Sequence, residues 1–336
     1  MEDPFERLST ADPFGSWWPF IIAVSVGIIM TVRTYFGGTP CPSKATINGK
    51  TVVITGGSSG IGREVVVELL SRGGRIIIGS RNPEEALKSI SKAIGKCQNV
   101  SRIISYFLDL TSLQSVREFV KKLDNENKID ILINNAGVAF QDFEKTGDGF
   151  EIHLATNYLG HFLLTHLLLP KLKKAEAARI INVSAQAHYA GDLCLNDLNL
   201  EDNYSYNKAF SQSKLALVMM ARHMEKILRG TNVTINAMHP GLIRGTKQFQ
   251  KSPMGTSFLV KMAIWPWAWL FMKTPSQGAQ TIIYMAVALE VQDISGKYFR
   301  ECNLTDPSIK ATDDATAEKF YKKSLELTGL SPTEFC

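Results

Sequence analysis

The stretch from Thr51 to Gly62, TVVITGGSSGIG, decides how the chain is read. From Lys50 to Thr55 the residues are apolar and β-branched, the pattern of a strand buried on both faces. The run that follows places Gly56, Gly60 and Gly62 immediately before a segment of helical period. Glycines in that position let the backbone turn tightly and approach a pyrophosphate. The helix that opens there offers unpaired N–H groups and the positive end of its dipole. Thr55, Gly56, Ser58, Ser59, Gly60, Ile61 and Gly62 therefore read as a dinucleotide-phosphate cradle, with a plain structural turn as the alternative.

Outward from this unit the pattern repeats. Arg75 to Gly79, Ile103 to Leu108, Ile129 to Ile133, Arg179 to Val183 and Val233 to Ala237 are short, nearly continuous apolar runs that predict strands. Helix-period segments separate them: Gly62 to Arg72, Leu113 to Asp124, Asn157 to Lys174 and Ser211 to Arg229. Strand and helix in alternation imply an α/β fold, a Rossmann-type doubly wound parallel sheet in a single domain. Its span is 49–330, after a Gly/Pro-containing linker at 37–48 and before a short tail at 331–336.

The end of the second strand speaks to cofactor choice. An NAD site wants a carboxylate there for the adenosine ribose hydroxyls, about 20 residues after the glycines. This chain has Ser80-Arg81-Asn82 instead. Arg81 is suited to pair a 2′-phosphate, so NADP(H) is expected ahead of NAD, the alternative being a merely solvated arginine.

These motifs together with Asp109-Leu110, NNAG at Asn134 to Gly137, Asn157 in TNYLGHFLLT, Lys214 in SQSKLALV and HPG at His239 to Gly241 resemble the short-chain dehydrogenase/reductases in order and spacing. The likeness runs from about Lys50 to Gly329. The DGFE run (Asp148 to Glu151), LGHFLLT and SGKYF (Ser295 to Phe299) are similar to the retinol-dehydrogenase-like branch and its polyprenol-dehydrogenase-like relatives, which act on greasy alcohols and carbonyls. The resemblance implies that Asp109, with Leu110 beside it, meets the adenine. Asn135, Ala136 and Gly137 would line the cofactor, Pro240 and Gly241 would flank the nicotinamide, and Lys214 would hold its ribose. Asn157 would position a water in a proton relay.

The same resemblance exposes two departures. Active members carry a tyrosine four residues before the lysine as general acid/base and a serine at the end of the fifth strand to orient the substrate oxygen. Those positions here are Phe210 and Ala185, 25 residues apart as in the retinol-dehydrogenase-like branch. Candidates to supply the missing proton are Tyr206, one turn before Phe210, and His188 and Tyr189 after the fifth strand. Ser184 should face away, because successive strand side chains alternate. A smaller departure falls at Gly245 and Thr246, where the family places a threonine near the cofactor. The expected function is an NADP(H)-binding, catalytically impaired protein that acts as a binding or regulatory module. The alternative is an active oxidoreductase on a lipophilic alcohol or carbonyl with a non-standard proton donor.

The N-terminus sets the location. From Trp17 to Val32 no residue is charged, and Arg33 closes the run among aromatics. With a snorkelling arginine, 17–36 reads as a membrane anchor, and the acidic flank 1–16 argues against a cleaved signal peptide. Positive charge after the segment places the domain in the cytosol. The family-based expectation is the endoplasmic reticulum, with lipid droplet or mitochondrion as alternatives. A second apolar stretch, Phe258 to Phe271, holds three of the five tryptophans and reads as a lid over a lipophilic ligand or a segment in the membrane interface. The remaining composition is that of an ordinary globular chain of 336 residues with 37 Lys and Arg against 32 Asp and Glu, without basic blocks, so no nucleic-acid partner is expected. Five scattered cysteines show no metal-ligand spacing and fit a reducing compartment. A homodimer through helices at the sheet edge is usual for the fold.

Overall fold

In the computed structural model the described residues are 17–95, 100–244 and 258–331. The flank 1–16, the Gly245 and Thr246 pair, and all of the tail after Ser331 lie outside them. In chain order the elements are α1 (Trp18–Gly37), β1 (Thr51–Thr55), α2 (Gly60–Ser71), β2 (Arg75–Ser80), α3 (Pro83–Ile94), β3 (Ile103–Phe107), α4 (Leu113–Lys122) and β4 (Ile131–Asn134). They continue with α5 (Gly160–Leu172), β5 (Ala178–Val183), α6 (Tyr206–Leu228), β6 (Val233–Met238), α7 (Phe258–Phe271), α8 (Pro275–Val287), β7 (Tyr298–Arg300), β8 (Asn303–Leu304) and α9 (Asp314–Thr328).

The strands form one sheet in the order β3-β2-β1-β4-β5-β6-β7-β8, parallel except for β8, which turns back along β7. The order reverses between β1 and β4, and the carboxyl ends of the strands at such a reversal are where sheets of this kind bind ligands. Period-two alternation divides the core. Val53, Ile77, Leu132 and Ile180 point to one face and pack with Phe119, Leu164, Leu217 and Phe320. Val52, Ile54, Ile76 and Ile133 point to the other and pack with Val66, Ile90 and Ile282. Each such side chain contributes about 1.5–3 kcal/mol by leaving water.

Two helices differ from their sequence expectation. Helix α6 begins at Tyr206, five residues before Ser211, because extended Ser205 starts it while its first turn lies at the rim, outside the apolar stripe. The helix expected from Asn157 opens instead with a wide π-helical turn, Leu154–Leu159, every residue of which is buried. α5 follows at Gly160, where a side chain would collide with the Leu110 carbonyl. The stretch 38–48 has no helix or strand but is fastened to the domain. Cys41 N–H donates to Gln280 Oε1 (2.9 Å), and Arg72 donates to the carbonyls of Ser43 (2.8 Å) and Ala45 (3.1 Å).

Candidate functional site

The cradle is built where β1 stops. Gly56 and Gly60 have positive φ, 68° and 55°, which a side chain at either position would oppose. A Cβ at Gly62 would overlap the Gly56 carbonyl and the Asn135 amide, so the turn closes only around hydrogen atoms. Ser59 is the N-cap of α2, and its side chain makes no capping bond. The Ser58 carbonyl accepts from Ser89 Oγ (2.8 Å), which ties the turn to α3. Thr55 Oγ1 accepts from the N–H groups of Asn135 and Ala136, both at 2.9 Å, and Asn135 Nδ2 donates to the Thr55 carbonyl (2.9 Å). The loop after β4, with Gly137 next in it, is thereby locked to the glycine turn. This tight, side-chain-free surface at a helix N-terminus fits a dinucleotide pyrophosphate.

At the adenosine end, Arg81 is exposed, directly before Asn82, whose side chain caps α3 by accepting from Glu85 N–H (3.2 Å). Asp109 holds its own loop, accepting from Thr111 N–H (3.0 Å) and Thr111 Oγ1 (2.8 Å), while Leu110 is buried in the core. At the opposite end Gly241 has φ of 85° beside the Lys273 side chain, after a buried Pro240. Ile61 and Ile243 meet over Gly278 of α8.

Between these ends lies Lys214. Its Nζ donates to the carbonyl of Val183 (3.0 Å), two residues before Ala185, and burial lowers its pKa to about 8. The Phe210 ring lies one helical turn away with its centroid 5.8 Å from the ammonium. A phenylalanine there offers the cation a π face and no oxygen.

A profile of short chain dehydrogenases matches residues 50–255. The chain belongs to the short-chain dehydrogenase family. It is 41% identical over 313 residues to mouse retinol dehydrogenase 13, covering 93% of each chain. Human retinol dehydrogenase 12 is 40% identical over 301 residues, which is 89% of this chain and 93% of that one. Among solved structures, a putative uncharacterized protein from Mycobacterium paratuberculosis superposes with a TM-score of 0.69 at 30% identity, over 88% of this chain and 98% of the other. The Pseudomonas aeruginosa RhlG/NADP complex shares the fold, with a TM-score of 0.60 at 23% identity over 76% of this chain and 95% of that one.

In this short-chain dehydrogenase two of the candidates to supply the proton, His188 and Tyr189, hold the C-terminal segment. His188 is buried, bonded through Nδ1 to the Ala185 carbonyl (2.8 Å), and accepts Ser308 N–H at Nε2 (3.1 Å). Both ring nitrogens are used, and burial lowers its pKa, so it stands as a neutral strut to the C-terminal segment. Tyr189 donates to the Asp306 carbonyl (2.6 Å), on that same segment. Tyr206 opens α6 with its ring against Phe140, centroids 5.6 Å apart. Ser184 is buried and donates to the Lys214 carbonyl (2.7 Å). The Asn157 side chain is tied into the site from three sides. Its Oδ1 accepts from Val138 N–H (2.8 Å), and its Nδ2 donates to the Val138 carbonyl (3.1 Å) and to Ser213 Oγ (2.9 Å).

Several members of the site were not singled out from sequence. His161 is buried and bonded through Nδ1 to the Asn157 carbonyl (2.9 Å), so its Nε2 accepts from the Thr55 hydroxyl (2.8 Å). Burial pushes its pKa down to about 4, keeping it neutral. Its place four residues after Asn157, one helical turn away, is the signal that could have found it. Ser213 joins the Phe210 carbonyl (2.7 Å) to Asn157. A fully buried pair, Glu151 and His153, share a 2.6 Å contact between Oε1 and Nδ1, and the imidazole lies edge-on to Phe210 with centroids 6.3 Å apart. Nothing in the residue types announced that pair, because β-turn and π-turn geometry bring it to α6.

Proposed function

We propose that this short-chain dehydrogenase is a membrane-anchored, NADP(H)-binding protein whose ordinary proton transfer is impaired. In this reading it serves as a binding or regulatory module in lipid or retinoid-type metabolism. The observation that carries the reading is the Phe210 ring beside the Lys214 ammonium, with Ala185 at the end of β5. Cofactor binding is supported by the glycine cradle, Asn135 to Gly137 locked against it, Lys214, and the Pro240-Gly241 loop; Arg81 is the group suited to a 2′-phosphate. A bound nicotinamide supplies or accepts hydride, and the proton that must accompany it is left to the chain. His188, Tyr189 and Ser184 are committed elsewhere. Loss of a positioned acid/base removes roughly 10²- to 10⁴-fold in rate, and residues acting as one unit do not lose it twice. Helix α1, long and apolar enough to cross a membrane, supports the anchor. Arg33, Lys44 and Lys50 after it favour a cytosolic domain.

A second reading, an active oxidoreductase on a lipophilic alcohol or carbonyl, is favoured by one observation. The imidazole of the buried Glu151–His153 pair lies against the edge of the Phe210 ring. The names of the relatives, retinol dehydrogenases, support the ligand class under both readings.

The discriminating experiment measures NADPH and NADH binding by fluorescence and compares turnover of retinoid, steroid and polyprenoid substrates between wild type and Ala185→Ser/Phe210→Tyr. The impaired reading expects the revertant to gain well over tenfold. Wild-type turnover within about tenfold of the revertant leaves only about 1.4 kcal/mol for the missing groups and overturns it. Loss of that wild-type turnover in His153→Gln would then establish the second reading. Failure to bind either nicotinamide cofactor overturns both.

A further inference from the structure

Helix α1 does not stand away from the domain. Its last turns dock on the end of α7: Phe36 meets Phe271 edge to face, centroids 4.9 Å apart, and Arg33 donates from one guanidinium nitrogen to the Met272 carbonyl (3.0 Å). The same guanidinium lies over Trp269, 5.4 Å from the ring centroid. The next residue pins α7 on its other side. Lys273 N–H donates to the Leu242 carbonyl (2.8 Å), Arg244 N–H donates to the Lys273 carbonyl (2.9 Å), and Lys273 pairs with Glu301. The end of α7 is therefore held between the apolar N-terminal helix and the loop that carries Pro240 and Gly241.

Among the described residues, the outer side of this assembly is apolar and uncovered. Trp265 and Trp267 are 65% and 66% exposed, and Leu242 on the adjoining loop is 59% exposed. Trp267 stacks on Phe271 at 5.5 Å, which places it next to the α1 contact. Along α1 the uncharged run ends at Arg33, and an arginine closing such a run sits at the headgroup level. Arg33 touches Trp269 and Met272, so the C-terminal half of α7 is fixed at that same depth. Tryptophan, with an apolar body and one N–H, is favoured in this layer, and Arg244 close to Arg33 adds a second cation toward lipid phosphates.

We propose that α7 is a second membrane element, an interfacial helix lying in the headgroup layer of the leaflet that α1 enters, with Trp265, Trp267 and Leu242 in contact with lipid. The occupant of this face is the bilayer itself. Leu242 directly follows Gly241, so this loop then borders lipid, and a greasy ligand would reach the carboxyl ends of the strands from the membrane rather than through water. The inference rests on the reading of α1 as an anchor.

The test uses the full-length chain carrying Trp17→Phe/Trp18→Phe, reconstituted in phosphatidylcholine vesicles, so that emission comes from Trp265, Trp267 and Trp269. Lipids with bromine near the headgroup end of the acyl chain are expected to quench that emission by roughly half, more than lipids brominated near the chain end, and iodide in the buffer little. Adding Trp265→Ser/Trp267→Ser should abolish most of the quenchable component. Free access of iodide without bromine quenching, in protein that resists carbonate extraction, overturns the inference and leaves the anchor intact. Protection from iodide without bromine quenching means that a second copy or another protein covers the face, and also overturns it. Extraction by carbonate overturns the anchor and the inference together.

Discussion

Phe210 and Arg81 illustrate how much a single side chain decides. Tyrosine and phenylalanine fill nearly the same volume, so the exchange preserves the packing of α6 and removes only the titratable oxygen. That is why the substitution is legible in sequence while its consequence is not. Whether another group stands in depends on where His188, Tyr189 and His153 end up, and those positions come from the C-terminal segment and the turn before α5. Arg81, exposed at the end of β2, has room to meet an anion. Arg81→Ala is expected to weaken NADPH binding about 10- to 100-fold and leave NADH binding within about twofold, the loss of one charge-assisted contact; fluorescence titration with both cofactors checks it. Equal weakening of both would assign the arginine to the fold instead.

At the scale of elements, the glycine turn and the capped helices carry separable stability. Gly62→Ala would press a methyl against the Gly56 carbonyl and the Asn135 amide, both of which belong to the cradle. We expect this variant to lose nicotinamide binding by more than about tenfold, together with about 1–3 kcal/mol of stability, read by titration and by urea unfolding. Helix α8 starts with a full capping box, in which Thr274 accepts from Gln277 N–H (3.2 Å) and Gln277 reaches back to Thr274 N–H (2.9 Å). Thr274→Ala should cost about 1 kcal/mol in the same assay, with a larger effect if the box also holds the neighbouring Lys273 clamp. Sequence periodicity finds these elements because two-sided burial and helical stripes leave marks in residue order. It misplaces the start of α6 and the wide turn before α5, because a rim turn and a π turn are set by what packs against them.

For the molecule as a whole, burial of neutral imidazoles sets the response to acid. His161, His166 and His239 are pushed down to about 4 from the usual 6.5, in each case mainly by desolvation. The unfolded chain binds protons at these sites as pH falls through 6.5, whereas the folded chain resists until about 4, so acid favours unfolding. Their contribution is complete above pH 6.5 and is lost progressively between 6.5 and 4, with a limiting slope of about 1.4 kcal/mol per pH unit for each group. Urea midpoints across that range should fall, and His166→Gln, which removes the ring bonded to Tyr321, should flatten the slope by about one group's share. A slope unchanged by the substitution would mean that His166 takes up its proton while folded. Residue order by itself determined the alternating α/β architecture, the glycine turn, the apolar N-terminal run and the presence of Phe210 and Ala185 at their motif positions. Each of these follows from local pattern: period-two and helical burial, backbone freedom at glycine, an uncharged run, or identity at a motif position. Only the tertiary structure decided that His188 and Tyr189 are struts, that His153, paired with Glu151, meets Phe210, and that α1 is clasped to α7, because those relations join residues distant in the chain through packing that no local pattern encodes.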